Sequence, residues 1–280
     1  LVTQNAPALA HALIVCHQAY QRMGEQLASL DDRLGAAALQ ADPSPYDEVR
    51  DFFHFVDNYV DDLDRAAETL AGRLGLPDRD VGMRLERHLD SAHGIKVTRA
   101  DPQDHVIRRF DAKTRVLALD DYAPPATRVF QMGFQIGALE AKGIIDHTIA
   151  QARFRTAQAA EICRIGLQNY FAGALLLPYA PFRKAARDLR HDLELLSARF
   201  GASLEQIAHR LSTLQRLEAK GVPLFFARID RAGNITKRHS AARLQFARFG
   251  AACPLWNVHG AFEAPGRIIR QLAETPDGAR

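Results

Sequence analysis

The chain is poor in the features that make chemistry easy to read. It has three cysteines, Cys16, Cys163 and Cys253, far apart and without a CxxC pair. That spacing excludes a zinc ribbon and a disulfide framework, and it points to a reducing, cytoplasmic setting. Long hydrophobic runs are also lacking. The longest, Phe171–Tyr179, is far too short to span a bilayer, so no membrane partner is expected. No signal-peptide pattern is read at the start. Charge of one sign is missing too: 36 Lys and Arg face 33 Asp and Glu, for a net charge of +3. A dedicated nucleic-acid binder would carry more. No internal repeat or low-complexity segment is found.

What the chain does have is enough for a folded core. Its 280 residues are 47% hydrophobic and 25% charged, a globular composition that allows one large domain or two ordinary ones. Charge is unevenly spread: acids crowd Asp42–Asp64, and Arg and Lys dominate Arg183–Arg248. The first residue is Leu and the last stretch reads PDGAR. The expectation is therefore a piece of a longer protein, with segments missing at both ends.

Hydrophobic spacing predicts helices over Ala8–Leu30 and Tyr46–Leu74, separated by LQADPSP, where Pro43 and Pro45 block continuation. A shorter helix over Asp80–Ser91 runs to HG, where Gly94 can take the left-handed cap. The period then changes. GIKVTR alternates, and HVIRRFDAKTRVLALDD reads as two strands around a turn at Asp111–Lys113. Helices follow at Arg128–Glu140, Thr156–Leu177, Pro181–Leu189, His191–Phe200 and Ser203–Leu214. Beyond Gly221 the texture is β: VPLFFARIDRAGNITKR gives two strands and a turn, and LQFARFG a third. The last stretch, CPLWNVHGAFEAPGRIIRQLAE, resists assignment.

The segment RVFQMGFQIGALE has the outline of a zinc-peptidase helix without its histidines. Zinc peptidases place two His at i and i+4 on one face, with a Glu beside the first as general base. Here the first His position falls on Phe134, the Glu on Gln135 and the second His on Ala138, while Gly137 keeps a small residue. Phe and Ala cannot ligate a metal, and Gln cannot act as a base at neutral pH. Downstream, LQNYFAGALLLP resembles the second helix of the bacterial antitoxin-degrading and radiation-response peptidases at Asn169, Phe171, Ala172, Leu175, Leu176 and Pro178. The acidic ligand expected just upstream is replaced by Gly166 or Leu167. The scaffold pattern is present and the catalytic pattern is gone.

Other motifs have blander readings. Leu193–Leu214 looks like a helix-turn-helix around Gly201 with Ser203 as N-cap. Its second helix offers Glu205, Gln206, His209, Arg210 and Gln215, a weak set for reading DNA, so a structural role is favoured. Arg228–Arg243 is a basic hairpin able to grip phosphates, or simply a solvated surface. Tyr59 and Arg73 stand out in an aromatic-rich helix because both can present a polar tip. Cys253, in CPLW, is either a small buried hydrophobe or an Fe–S ligand that would need clustered partners.

Together, EVRDFF…NY…LDRAAE, NYFAGALLLPYAPF, HRLSTLQR, GVPLFFARIDRAGNITKR and CPLWNVHGAF resemble the short-chain fatty acyl-CoA regulator family, across nearly the whole chain. The resemblance implies an N-terminal helix-turn-helix domain, a central degenerate peptidase-like domain, and a C-terminal cysteine-containing region that holds an Fe–S cluster in some members. The chain corresponds to the middle part and the start of the third. An Fe–S cluster would then need the missing C-terminus. The function implied is a non-enzymatic sensor of short acyl-CoA, propionyl-CoA or acetyl-CoA, in a regulator of propionate or acetate metabolism. DNA would be bound through the absent head, and the protein would be a homodimer or larger.

Coenzyme A carries a pyrophosphate and a further phosphate, which call for cations from separate elements. It also needs an aromatic or planar cation against adenine and an apolar slot for the acyl tail. The candidates are Tyr59, Arg73, Arg99, Tyr170, Arg210, Lys237 and Arg238. The expected fold is α+β: mostly helical with a small mixed sheet and a degenerate zinc-peptidase-like core. It divides into a helical section 1–92, a peptidase-like domain 93–220 and a β-rich start of the C-terminal region 221–280. Two rivals remain. One is a redox sensor with an Fe–S cluster. The other is a metal hydrolase drawing on His88, His93, His191, His209 or His239, none of which forms an i, i+4 pair with an adjacent acid.

Overall fold

A computed structural model describes residues 44–77, 80–101, 106–231, 235–240 and 257–272, with 235–240 limited to backbone. The expected helix at Ala8–Leu30, the strand LQFARFG and Cys253 lie outside the described residues. Two compact units are distinguished. One comprises Ser44–Phe226 with His239–Arg243, and the other comprises Leu1–Pro43, Ala227–Arg238 and Leu244–Arg280.

The first unit begins with α1 (Pro45–Phe55) and α2 (Asp61–Leu74). The spacing over Tyr46–Leu74 predicted one continuous helix, and the structure breaks it in two. Asp57 and Asn58 take positive φ, 50° and 55°, a conformation that Asp and Asn tolerate better than other side-chain-bearing residues. The break turns α2 so that Leu63, Asp64, Ala67, Leu70 and Ala71 are buried on one stripe. Next comes α3 (Val81–His93), closed by Gly94 at φ 62° as expected.

The sheet follows: β1 (Lys96–Arg99), β2 (Arg108–Asp111) and β3 (Val116–Leu119), in the order β1–β3–β2. β1 runs parallel to β3, and β2 antiparallel to it, pairing Phe110 with Leu117. Asp111 Oδ1 accepts from the backbone N–H of Lys113 and Thr114, which fixes the hairpin turn. The fold is α+β with a small mixed sheet.

Helix α4 (Pro125–Glu140) is the degenerate peptidase helix, and Pro124 and Pro125 start it. Helix α5 (Lys142–Ala152), not foreseen from the sequence, leads to α6 (Ala157–Leu176), whose Thr156 cap accepts from Ala159 N–H. α6 packs against α1, α2, α4 and α5. Tyr170–Leu175 are buried without interruption, the mark of a central helix. At its crossing with α4 the helices approach closely. A Cβ added at Gly137 would lie 2.8 Å from the Phe171 ring, so only glycine fits there. Leu63, Leu85, Leu89, Leu117, Ile136 and Leu167 fill the main core, each contributing about 1.5–3 kcal/mol.

A second cluster is built by α7 (Tyr179–Asp188), α8 (Leu193–Phe200) and α9 (Leu204–Ser212), around Phe182, Leu196, Ile207 and Leu211. Ser203 and Gln206 form a reciprocal cap at the start of α9. A two-stranded sheet follows, β4 (Phe225–Ile229) and β5 (Ile235–Ser240), and then a short α10 (Val258–Ala261). Among the described residues, no helix is long and apolar enough to cross a membrane.

Candidate functional site

Two candidates from separate segments, Tyr170 and Arg210, converge on a residue the sequence did not single out, and a third, Tyr59, is linked to it through Arg216. Asp64 lies fully buried on the apolar stripe of α2. Its Oδ2 accepts from Arg210 Nη1 at 2.5 Å and from the Tyr170 hydroxyl at 2.8 Å. Its Oδ1 accepts from Arg210 Nη2 at 3.3 Å and Arg216 Nη2 at 3.2 Å. Arg210, only 2% exposed, also donates to Leu177 O and Thr213 Oγ1. Burial opposes its charge, but Asp64 more than compensates and raises its pKa. Burial holds the Tyr170 phenol well above its ordinary range.

The rim of this cluster is more open. Arg216 donates to Glu68 Oε2 at 2.8 Å and to the Tyr59 hydroxyl at 3.0 Å, and its guanidinium lies 4.1 Å from the Tyr179 ring centroid. Tyr59 donates in turn to Asp61 at 2.7 Å and meets Tyr179 edge-on. Partial burial, first of all, raises its pKa, so its hydroxyl stays protonated. Two acids, Asp64 and Glu68, balance two arginines, Arg210 and Arg216. Beside them Asn58 donates to Ser212 Oγ at 2.8 Å, while the buried atoms Asn58 Oδ1 and Gln215 Nε2 have no partner among the described residues. The network ties α2 to α6, α9 and the segment after α9.

Of the side chains weighed for reading DNA, Arg210 and Gln215 are buried. Arg73 and Arg99 lie outside the network, largely exposed. They pair with Glu140 at 3.7 Å and Asp121 at 3.4 Å. Lys237 and Arg238 are on β5, where the backbone alone is described. Cys163 is packed in the core, and burial pushes its thiol up to about 12. Asp64, Glu68, Tyr179 and Arg216 were missed. The one available signal was an acid in phase with the buried face of α2.

The degenerate metal position is occupied differently. Gln135 is buried, and its Oε1 accepts from Arg108 Nη1 of β2 at 2.6 Å. The same guanidinium stacks over the Phe134 ring at 4.4 Å. Among the described residues it pairs with no carboxylate, and burial lowers its pKa. Phe134 and Ala138 offer no ligand atom, and the neighbouring charge is a cation. A divalent ion of the peptidase kind does not fit there.

Residues 90–212 match the IrrE N-terminal-like domain, and residues 213–280 match the short-chain fatty acyl coenzyme A regulator, C-terminal. A solved structure described as a Mycobacterium tuberculosis transcriptional regulator is 43% identical. It aligns with a TM-score of 0.81 over 84% of this chain and 72% of that one. The chain belongs to the short-chain fatty acyl-CoA regulator family. This is a family of regulators rather than enzymes. A propionyl-CoA carboxylase regulator of Cereibacter sphaeroides is 54% identical over 280 residues. The HTH-type transcriptional regulator PrpR of Mycobacterium tuberculosis is 41% identical over 275. The chain spans 59% and 57% of the lengths of these curated relatives.

Proposed function

We propose that this chain is the effector-sensing part of a cytoplasmic transcriptional regulator of short-chain acyl metabolism, and that its effector is propionyl-CoA or acetyl-CoA. The observation that carries the reading is the meeting of Tyr59, Tyr170 and Arg210 at one polar junction between α2 and α6 with α9. A ligand at the Tyr59–Arg216 rim would contact the bonds that hold α2 in place. Differential affinity for two arrangements of that junction is what an effector needs in order to shift a population. The junction is charge-balanced, so attraction for the phosphates must come from exposed cations such as Arg73 and Arg99. DNA would be bound through a helix-turn-helix outside this chain, as a dimer on two half-sites.

Isothermal titration with propionyl-CoA and acetyl-CoA tests the ligand. Saturable heat at one site is expected, weakened at least about tenfold by Tyr59→Ala, which corresponds to about 1.4 kcal/mol. No heat and no thermal shift with either ligand at millimolar concentration would remove the acyl-CoA reading.

A further inference from the structure

We propose that His88, His93 and Glu140 form a binding site for a divalent transition-metal ion, zinc first, separate from the vacated peptidase position. His88 and His93 lie on the last turns of α3, and Glu140 is the last residue of α4. Both imidazoles direct Nε2 at the same oxygen, Glu140 Oε1: His93 at 2.9 Å and His88 closer still. One ligand atom from each residue fits within 4.8 Å of the others. The rings stand nearly perpendicular, centroids 5.7 Å apart, and the three side chains are each less than a quarter exposed.

The chemistry suits such an ion. Two imidazoles and a carboxylate are a recurrent donor set for zinc, with a fourth position left for water or a further ligand. Two helices end here, so the negative ends of both dipoles face the cation. Two nearby cations are held off the converging atoms. Arg73 approaches the other carboxylate oxygen, Oε2, at 3.7 Å, and Arg115 donates to the His93 carbonyl at 2.7 Å. A partner on Oε2 leaves Oε1 turned toward the imidazoles, as outer-shell groups do at metal sites. The site is not a relic of the peptidase. Glu140 lies about 200° around the α4 axis from Ala138, and His88 and His93 come from a different helix. Zinc here would staple the end of α3 to the end of α4. This proposal does not depend on the acyl-CoA reading.

The test uses the whole 280-residue chain, stripped with a chelator and titrated with zinc by calorimetry beside His88→Asn/His93→Asn and Glu140→Gln. Expected are one zinc per chain with a micromolar or tighter Kd, a melting temperature raised by about 3 °C or more in zinc excess, and at least tenfold weaker binding in either variant. Equal zinc uptake by both variants, or no uptake below about 100 µM, overturns the proposal. Should a variant fail to fold, cobalt substitution of the unaltered chain decides. X-ray absorption showing two imidazoles and a carboxylate supports the site, and any ligand set containing sulfur or lacking paired imidazoles overturns it.

Discussion

Two buried or half-buried arginines show opposite ways of keeping a charge inside a protein. Arg210 is sealed at the α2 junction, where Asp64, Leu177 O and Thr213 take its donors and Tyr170 and Arg216 complete the carboxylate's shell. Arg108 sits at the vacated peptidase position with one amide oxygen and one aromatic face, and with no acid among the described residues. The first charge belongs to a closed, many-membered network, so removing any part strands several others. The second belongs to a pair, so both halves can be removed together. The difference separates a closed network that locks the fold from a lone pair that fills the position a peptidase would give to its metal.

The largest break in this comparison is Asp64→Ala. It leaves Arg210 buried without its counter-charge and Tyr170 without its acceptor, and should cost about 3–5 kcal/mol, read as a lower urea midpoint at unchanged m-value. A loss under about 1 kcal/mol would show that the junction is not locked. Asp64→Leu with Arg210→Met sharpens the point. An isolated ion pair replaced by apolar groups can be neutral, but here the Tyr170 hydroxyl loses its acceptor and Leu177 O loses its donor, so a loss of about 2 kcal/mol should persist. Full recovery in the double variant would reduce the network to a simple pair.

Local signals in the sequence read well because their causes are local. Ser203 and Gly94 cap helices where the sequence places them, since each cap is satisfied within a few residues. The positions Phe134, Gln135 and Ala138 could be laid out on a helix for the same reason. Long-range partners were not legible. Asp64 is 146 residues from Arg210, and nothing near it marks its charge as buried. His88 and His93 were seen but set aside for want of an adjacent acid, and the acid comes from Glu140 on another helix. The break at Asp57–Asn58 escaped because apolar spacing continues across it, while the chain turns on two positive φ angles.

Tyr59→Phe tests the rim rather than the centre. Its hydroxyl links Asp61 to Arg216, but the ring stays against Tyr179 and Arg216 keeps Glu68 and Asp64. The expected loss is about 0.5–1.5 kcal/mol, a melting-temperature drop of a few degrees. A loss as large as that of Asp64→Ala would place Tyr59 inside the lock.

The smallest effect is expected from Arg108→Met with Gln135→Met. Arg108 pays a desolvation penalty that lowers its pKa, and among the described residues no acid offsets it. Its compensation is a single bond to Gln135 and the face of Phe134. Replacing both partners removes the bond without stranding either half, and methionine can fill the space against Phe134. The net change should stay within about 1 kcal/mol, measured by the same urea titration. If the pair proved as costly to remove as Asp64, Arg108 would have to answer to an acid beyond the described residues, and the contrast between a locked junction and a refilled cleft would fail.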